Sequence, residues 1–469
     1  MIKSIDNLFG IDGNFKLNSY RDIFQRSIKS KSIKSLVVYD EKKTSLEYIK
    51  KGYTHCDYDD CLNIDDIENY EISTSCREIE FLSKINQISI DKISRSNIKS
   101  IEFSGKLDLV EGRLPLNIRS IKSKRHIDES RLPLNLKKLT YPYIDSENAI
   151  DALQLPRSLT SLSCLGAPNH QIDIRSLPPN LKRLTYYNSI TDTPSSARLP
   201  LGLTNVSISS HWLKYIADLK SIEILQIKIL DEHRIKPGDI PSCVTHLILS
   251  NRTSYKTITT DIIPKKVKYL RINGEFEFQA NIFTEFQQLE TLDITTLYNN
   301  NLVLGNLPES LTDLSLPYNS IDYPLDQYVT LPSGLQRLDL GGYKGEIPEM
   351  PSSLKTLRVR ENTAEQPVTI PSSVETIHFR KVAERGKAVT GGKEDWPSSL
   401  TSISTSGTLP LQLSKSINRV TYYPGICRYT IQRLNETSFL VYGLTGTRFV
   451  AFISNWETIR NLLHSLDDK

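Results

Sequence analysis

The chain has 469 residues, of which 24% are charged and 38% hydrophobic, and its formal net charge is +4 at pH 7. This composition excludes a collagen-like chain, a disulfide-dense miniprotein and a wholly disordered chain. No apolar run approaches the ~18–20 residues that a bilayer-spanning helix needs, and the first residues lack the apolar core of a secretory signal. We therefore expect a cytoplasmic protein without a membrane partner. The small net charge, spread over this length, argues against nucleic acid as the partner.

The first 80 residues carry a mixed pattern that differs from the rest of the chain. Apolar residues at helical spacing predict a helix over Asn18–Ser30, and Leu36–Tyr39 is typical of a short strand. Residues 54–71 contain seven Asp or Glu and no Lys or Arg, which indicates an acidic loop. We assign residues 1–80 to an N-terminal cap region. The alternative is an F-box-like fold, although its usual leading Leu-Pro and long helical pattern are missing.

A repeat occupies residues 81–423. Its consensus begins with Leu or Ile followed by Pro. An apolar residue follows after two free positions, a second after two more free positions, and a third after one further free position. Twelve of the 23 prolines occupy one column, and positions in a unit are counted here from this column proline as 0. The apolar residue at position +3 recurs 15 times between Ile118 and Ile417, with a mean step of about 21 residues. Two degenerate first copies are predicted around Ile88 and Ile101.

The spacing of the repeat predicts its fold. A period of 20–29 residues with LxxLxL spacing is the leucine-rich-repeat signature. The last two apolar positions alternate with period two, which indicates a short strand with one buried face. Proline is tolerated before the strand, where its missing N–H costs little. We predict a leucine-rich-repeat solenoid: a curved parallel β-sheet of about 15 short strands, with mostly irregular convex segments, few helices and small terminal caps.

Several copies of the repeat resemble a known family. LPESLTDLSL (residues 307–316) and IPSSVETIHF (residues 370–379) resemble the FNIP-type leucine-rich repeats of social amoebae and some giant viruses. Arg433–Gly443 resembles the usual ending of those proteins, and Asn18–Ser30 resembles their usual beginning. The Phe-Asn-x-Pro stretch behind the family's name is mostly missing, so the chain resembles a divergent member. Residues 347–359 also resemble LP-type repeats of bacterial effectors, some of which carry a following ubiquitin-ligase domain.

Residues 424–469 are predicted to form a C-terminal cap, because an open solenoid exposes an apolar edge at each end. Ser438–Gly443 and Thr447–Ile453 are typical of two strands joined by a turn that contains glycine. The sequence SNWE at Ser454–Glu457 matches a capping box, in which the serine caps the first helical turn. We therefore predict a strand pair followed by a helix over residues 455–467.

No motif indicates catalysis, a metal or a cofactor. The acidic loop has Cys61 and Leu62 where an EF-hand needs an oxygen ligand and a glycine, and the cysteines follow no standard zinc spacing. The glycine-rich stretch at residues 386–395 lacks the Lys-Ser/Thr pair that a phosphate loop needs after its second fixed glycine. We expect no enzyme, no cofactor and no metal.

The repeat also predicts which side chains point away from the core. They are the residues at positions +5, +7 and +9, on the concave face of the curved sheet. Late copies place several arginines on strands that are ~5 Å apart, and arginine suits carboxylate and phosphate recognition. We predict a partner-binding site formed by Arg337, Asp339, Arg358, Arg360, His378 and Arg380, together with Tyr269 and Arg271.

The sequence therefore favours a non-catalytic protein–protein interaction scaffold, whose partner the arginines predict to be acidic. The opposing interpretation is that Asp339, Glu361 and Glu375 partly neutralise a solvated face. One alternative function is the substrate-recognition subunit of a ubiquitin ligase, which requires the F-box-like fold. Another is a polyanion or nucleic-acid binder that uses the late arginines and shows a steep salt dependence. The repeat sets no oligomeric state.

Overall fold

The structure is a computed structural model. The predicted helix at residues 18–30 and most of the acidic loop lie outside the residues that it describes. The described residues are 35–39, 61–63, 72, 76–81, 87–104, 113–124, 127–141, 155–165, 174–187, 198–230, 234–296, 303–317, 320–321, 324–343, 350–361, 370–381, 396–406, 409–410, 412–423, 427–445 and 448–467.

The described part contains 26 strands and four α-helices. The strands are β1 Ser35–Tyr39, β2 Cys61–Asn63, β3 Glu78–Phe81, β4 Ser100–Phe103, β5 Ser120–Ser123, β6 Lys138–Tyr141, β7 Ser161–Cys164, β8 Arg183–Tyr186, β9 Asn205–Ser209, β10 Ile224–Ile229, β11 His246–Thr257, β12 Tyr269–Glu277, β13 Thr291–Thr296, β14 Gly305–Asn306, β15 Asp313–Ser315, β16 Ser320–Ile321, β17 Val329–Thr330, β18 Arg337–Asp339, β19 Gly342–Tyr343, β20 Thr356–Glu361, β21 Thr376–Lys381, β22 Ser402–Thr405, β23 Arg419–Tyr422, β24 Arg428–Arg433, β25 Phe439–Thr445 and β26 Arg448–Ser454. The helices are α1 Gln87–Ser94, α2 Leu213–Ile216, α3 Leu325–Tyr328 and α4 Trp456–Asp467.

Twenty-two of these strands form one sheet. Strand β1 lies between β2 and β3, and from β3 to β23 the strand of each unit pairs in parallel with the strand of the next. The short strands β14 with β17 and β16 with β19 form two separate parallel pairs in the segments between rungs. The predicted leucine-rich-repeat solenoid with few helices is confirmed. The sheet has more strands than the predicted 15.

The N-terminal end of the ladder differs from the prediction. The prediction of a degenerate copy around Ile88 is wrong, because Gln87–Ser94 forms helix α1. The copy around Ile101 is strand β4, and a further rung precedes it at β3. In β3 the buried Ile79 and Phe81 follow the buried Cys76 at the same spacing as in the later copies. The unit lacks both proline and leucine, which hides it in the sequence.

A β-turn at the column proline directs each unit into the core. In all twelve proline units the carbonyl of the proline accepts a hydrogen bond from the amide at position +3, as from Leu335 to Pro332 at 3.2 Å. This i to i+3 bond is the defining bond of a β-turn. The turn sends the +3 side chain inward, and all 15 residues in that column are at most 1% exposed. Stacked turns therefore build one continuous apolar core.

In several units a polar residue at position +2 ties the turn to the turn before it. The hydroxyl of Ser353 lies 2.7 Å from the carbonyl oxygens of both Ser333 and Leu335 in the preceding unit. Ser158 and Ser221 make the same two contacts in their units. These bonds satisfy turn carbonyls that the parallel ladder does not reach, so a small polar residue at +2 joins neighbouring rungs.

The C-terminal end reverses the strand direction. Strand β24 pairs antiparallel with β23, and β25 and β26 continue this antiparallel order. The predicted strand pair corresponds to β25 and β26, and β24 is an additional strand. The guanidinium of Arg433 donates to the carbonyl oxygens of Ser414 and Ile417, each at 2.9 Å, and so closes the last turn of the array.

Helix α4 packs across this end. The prediction that Ser454 caps this helix is wrong. The side-chain oxygen of Asn455 accepts from the amide of Thr458 at 2.9 Å, which makes Asn455 the N-cap. Ser454 cannot take that role because it is still paired with Phe439 in the sheet. The indole of Trp456 donates to the carbonyl of Pro410 at 3.0 Å, which holds the start of the helix on the last rungs.

Candidate functional site

The candidate site lies on the open face, which we define as the side of the sheet formed by positions +5 and +7, opposite the core. Strand alternation exposes Arg337 on this face while Leu338, its neighbour in β18, is buried. The parallel register then places equal positions of successive units side by side. Side chains that are about 20 residues apart in the sequence become neighbours ~4.8 Å apart.

The register brings three of the predicted residues into one row. Asp339 in β18 pairs with Arg358 in β20, which pairs with His378 in β21. Arg337 lies beside this row at position +5. Arg360 and Arg380 belong to β20 and β21, but their side chains lie outside the described part. We call Arg337, Asp339, Arg358 and His378 the late cluster.

Aspartates on neighbouring strands pair with the arginines of the late cluster. Arg337 donates from Nε to Asp313, and this bond raises the pKa of the Arg337 guanidinium. The Arg358 Nη1 atom lies 3.6 Å from Asp339 Oδ2, a looser ion pair. Asp339 is nearly buried, and its other oxygen accepts from the amide of Gly341 at 3.0 Å. The late cluster therefore has mixed charge.

His378 lies beside Arg358 in an environment that opposes its protonation. Burial is the main cause that lowers the pKa of His378, and the positive charge of Arg358 lowers it further, while Asp339 acts in the opposite direction. The imidazole is therefore neutral at pH 7. It can both donate and accept a hydrogen bond at the edge of the arginine cluster.

Tyr269 and Arg271 lie three strands away from β18 and form a second group, the middle cluster. The Tyr269 ring stacks on the His246 ring of β11, with centroids 5.9 Å apart. The Arg271 guanidinium lies 5.9 Å from the Tyr269 ring centre, and its Nη2 atom is 2.6 Å from Asp293 Oδ2. The structure thus separates the six predicted residues whose side chains it describes into two clusters along the open face.

The sequence indicated Asp339 as a neutralising residue, but the pairs of Arg271 with Asp293 and of Arg337 with Asp313 were not predicted, although the repeat contains the signal for them. Arg271 and Asp293 occupy position +7 in successive units, and so do Asp339 and Arg358. Asp313 and Arg337 both occupy position +5. Opposite charges at one position of adjacent units identify a pair on neighbouring strands.

The described residues show no metal-binding group. Among them, no three or more His, Cys, Asp or Glu side chains come together in a way that could hold an ion. Of the helices in the described ranges, none combines the length and the apolar character needed to cross a membrane.

Comparisons with known proteins support the repeat assignment. Residues 232–275 match the model of the FNIP Repeat family. They contain strand β11 and most of β12, which include Tyr269 and Arg271 of the middle cluster and the neighbouring His246. The match confirms the predicted FNIP-type resemblance within the array.

One similar solved structure is described as the crystal structure of CroV588, a novel circular LRR protein. The similarity has a TM-score of 0.45 and 19% sequence identity, and it covers 75% of this chain. It covers 56% of that chain, so the present chain spans little more than half of its length. A search of curated proteins gave no match.

Proposed function

We propose that this chain is a non-catalytic protein–protein interaction scaffold whose partner binds on the open face. The observation that carries the proposal is the row Asp339–Arg358–His378, three polar side chains on consecutive strands of a rigid parallel ladder. Solenoids of stacked repeats commonly present such extended faces to partners. The backbone beneath the row is held by the core, so the side chains are positioned before binding and less ordering entropy is lost.

The partner in this proposal is an acidic protein segment. Arg358 keeps guanidinium donors beyond its loose contact with Asp339, and these can bind a carboxylate in the bidentate geometry that arginine favours. Arg360 and Arg380 add positive charge to the same two strands. Burial is the main cause that lowers the pKa of His378, and the positive charge of Arg358 lowers it further, so further positive charge is disfavoured beside Arg358. A carboxylate arriving at this row would relieve that repulsion.

The test is a charge reversal on the open face. The double variant Arg358→Glu with Arg380→Glu should lose the partner in affinity capture from the native cell, quantified by mass spectrometry, while its circular dichroism spectrum shows that it stays folded. The matched control is Lys220→Glu with Lys236→Glu, which makes the same charge change at exposed lysines elsewhere. Equal capture by the two double variants would refute the proposal. Capture of RNA with a steep salt dependence would favour the polyanion alternative.

A further inference from the structure

A second surface carries apolar side chains that the fold leaves in solvent. Leu116, Leu134 and Leu201 are 57%, 59% and 76% exposed. Each occupies position +1, directly after the column proline, in the early copies LPLNI, LPLNL and LPLGL. Later copies have polar or charged residues at this position: Ser242, Lys265, Glu309, Ser333, Ser352, Ser372 and Ser398. Leucine at position +1 therefore occurs only in these early proline-containing copies.

Hydrogen bonds to main-chain carbonyls hold the +1 residues of successive units in a row. Ser158 donates to the carbonyl of Leu134 at 2.7 Å, and Asn180 donates to the carbonyl of Arg157 at 2.9 Å. Each bond joins position +2 of one unit to position +1 of the unit before it. Successive +1 residues therefore stack one per rung, and the row spans about 19 Å at ~4.8 Å per rung. We call it the leucine row, and its members are Leu116, Leu134, Arg157, Pro179 and Leu201.

Exposed positive charge flanks the leucine row. Lys137 and Lys138 are exposed where β6 begins, and Lys182 and Arg183 are exposed at the same positions two rungs further on. None of these four side chains makes an ion pair within the described part of the chain. The described stretches from 155 to 165 and from 174 to 187 contain no acidic residue. This surface differs from the late cluster, whose arginines are paired with aspartates.

We propose that the leucine row and its basic flank form a docking site for an acidic amphipathic helix of a partner protein. One turn of a helix rises about 5.4 Å, close to the spacing of the rungs, so one side chain per turn can meet one unit. An apolar stripe would then cover the leucines, and Asp or Glu beside the stripe would face the lysines.

The basic side chains and the exposed leucines together favour an acidic amphipathic helix as the ligand of this site. A nucleic acid would use the basic side chains and leave the leucines in water. A helix with acidic residues along the side of its apolar stripe that faces the basic flank satisfies both features. The leucine row lies at the turn edge of the solenoid. Lys138 and Arg183 occupy position +5 of the open face, but they belong to β6 and β8, away from β18, β20 and β21 of the late cluster, so this site stands independently of the function proposed above.

The probe is a phage-displayed library of random peptides of about 20 residues, long enough for a helix of about 30 Å. The full-length protein is the target, and the variant Leu134→Ser with Leu201→Ser is used for counter-selection. We expect enrichment of peptides with apolar residues at i, i+4 and i+7 and with an excess of Asp and Glu. Failure to enrich any peptide, or enrichment of peptides without this pattern, overturns the proposal.

Binding of one enriched peptide is then measured by fluorescence anisotropy. The double leucine variant should weaken binding about tenfold or more, because it removes apolar contacts with the stripe of the helix. The variant Lys138→Glu with Arg183→Glu should do the same, because it reverses the charge that faces the Asp and Glu of the peptide. Leu165→Ser, which changes an exposed leucine outside the row, should bind like the original protein. Equal affinity of the double leucine variant overturns the proposal. So does tighter binding of phosphatidylserine vesicles or of RNA than of the peptide.

Discussion

Removing one hydroxyl at position +2 should loosen the array between two rungs. The Ser353 hydroxyl lies 2.7 Å from two carbonyl oxygens of the preceding turn. In Ser353→Ala the shape of the core is kept, but this donor is lost. A hydrogen bond contributes ~0.5–1.5 kcal/mol net, and a carbonyl left unsatisfied costs ~1–3 kcal/mol when buried. Because Ser353 is only partly buried, we expect the free energy of unfolding to fall by ~1–2 kcal/mol.

Urea unfolding followed by circular dichroism measures this change. The matched control is Ser352→Ala, which removes the hydroxyl of the exposed neighbouring residue and should stay within ~0.5 kcal/mol of the original protein. Since repeats are stabilised mainly by their neighbours, weakening one interface should also lower the cooperativity of the transition. Identical midpoints for the two variants would contradict the assigned role of the +2 column.

Three further changes test other parts of the structure. Arg433→Met removes two charge-assisted bonds to the last turn and should destabilise the C-terminal end by ~2 kcal/mol, seen as faster hydrogen exchange there, whereas Lys415→Met should have no effect. Gly274 has φ +115° and an added Cβ would lie 1.5 Å from a carbonyl oxygen, so Gly274→Ala should cost more than ~2 kcal/mol while Gly334→Ala is tolerated. The pKa of His378 is depressed from its ordinary value of about 6.5, so its contribution to stability is present above that pH and is lost below it. His378→Gln should therefore reduce the fall in melting temperature between about pH 7 and pH 5.

The array could be predicted because its pattern is local and repeated. The +3 column, from Ile118 to Ile417, is buried along its entire length. The unit of β3 was missed because its spacing appears without proline. The copy predicted around Ile88 shows the opposite error, since three apolar residues over six positions fit a helix as well as a strand.

The candidate site could be predicted only in part. Strand alternation correctly indicates that Arg337 lies opposite Leu338, but the partners of the arginines depend on the register between units. That register becomes visible only when the same position is read down successive copies. At the helix start, Ser454 and Asn455 are both good caps, and the pairing of β26 decides between them.

The tie at position +2 has a consequence for how such a protein can change. The +2 side chain donates its hydrogen bond to the main-chain carbonyl oxygen of the +1 residue in the preceding unit. The side chain of that +1 residue takes no part in this bond. Replacing Leu134 or Leu201 therefore changes the side chain exposed at this edge and keeps the hydrogen bond to the main chain. Natural selection or protein design could therefore change the exposed residues of this edge one unit at a time while the backbone stays in place.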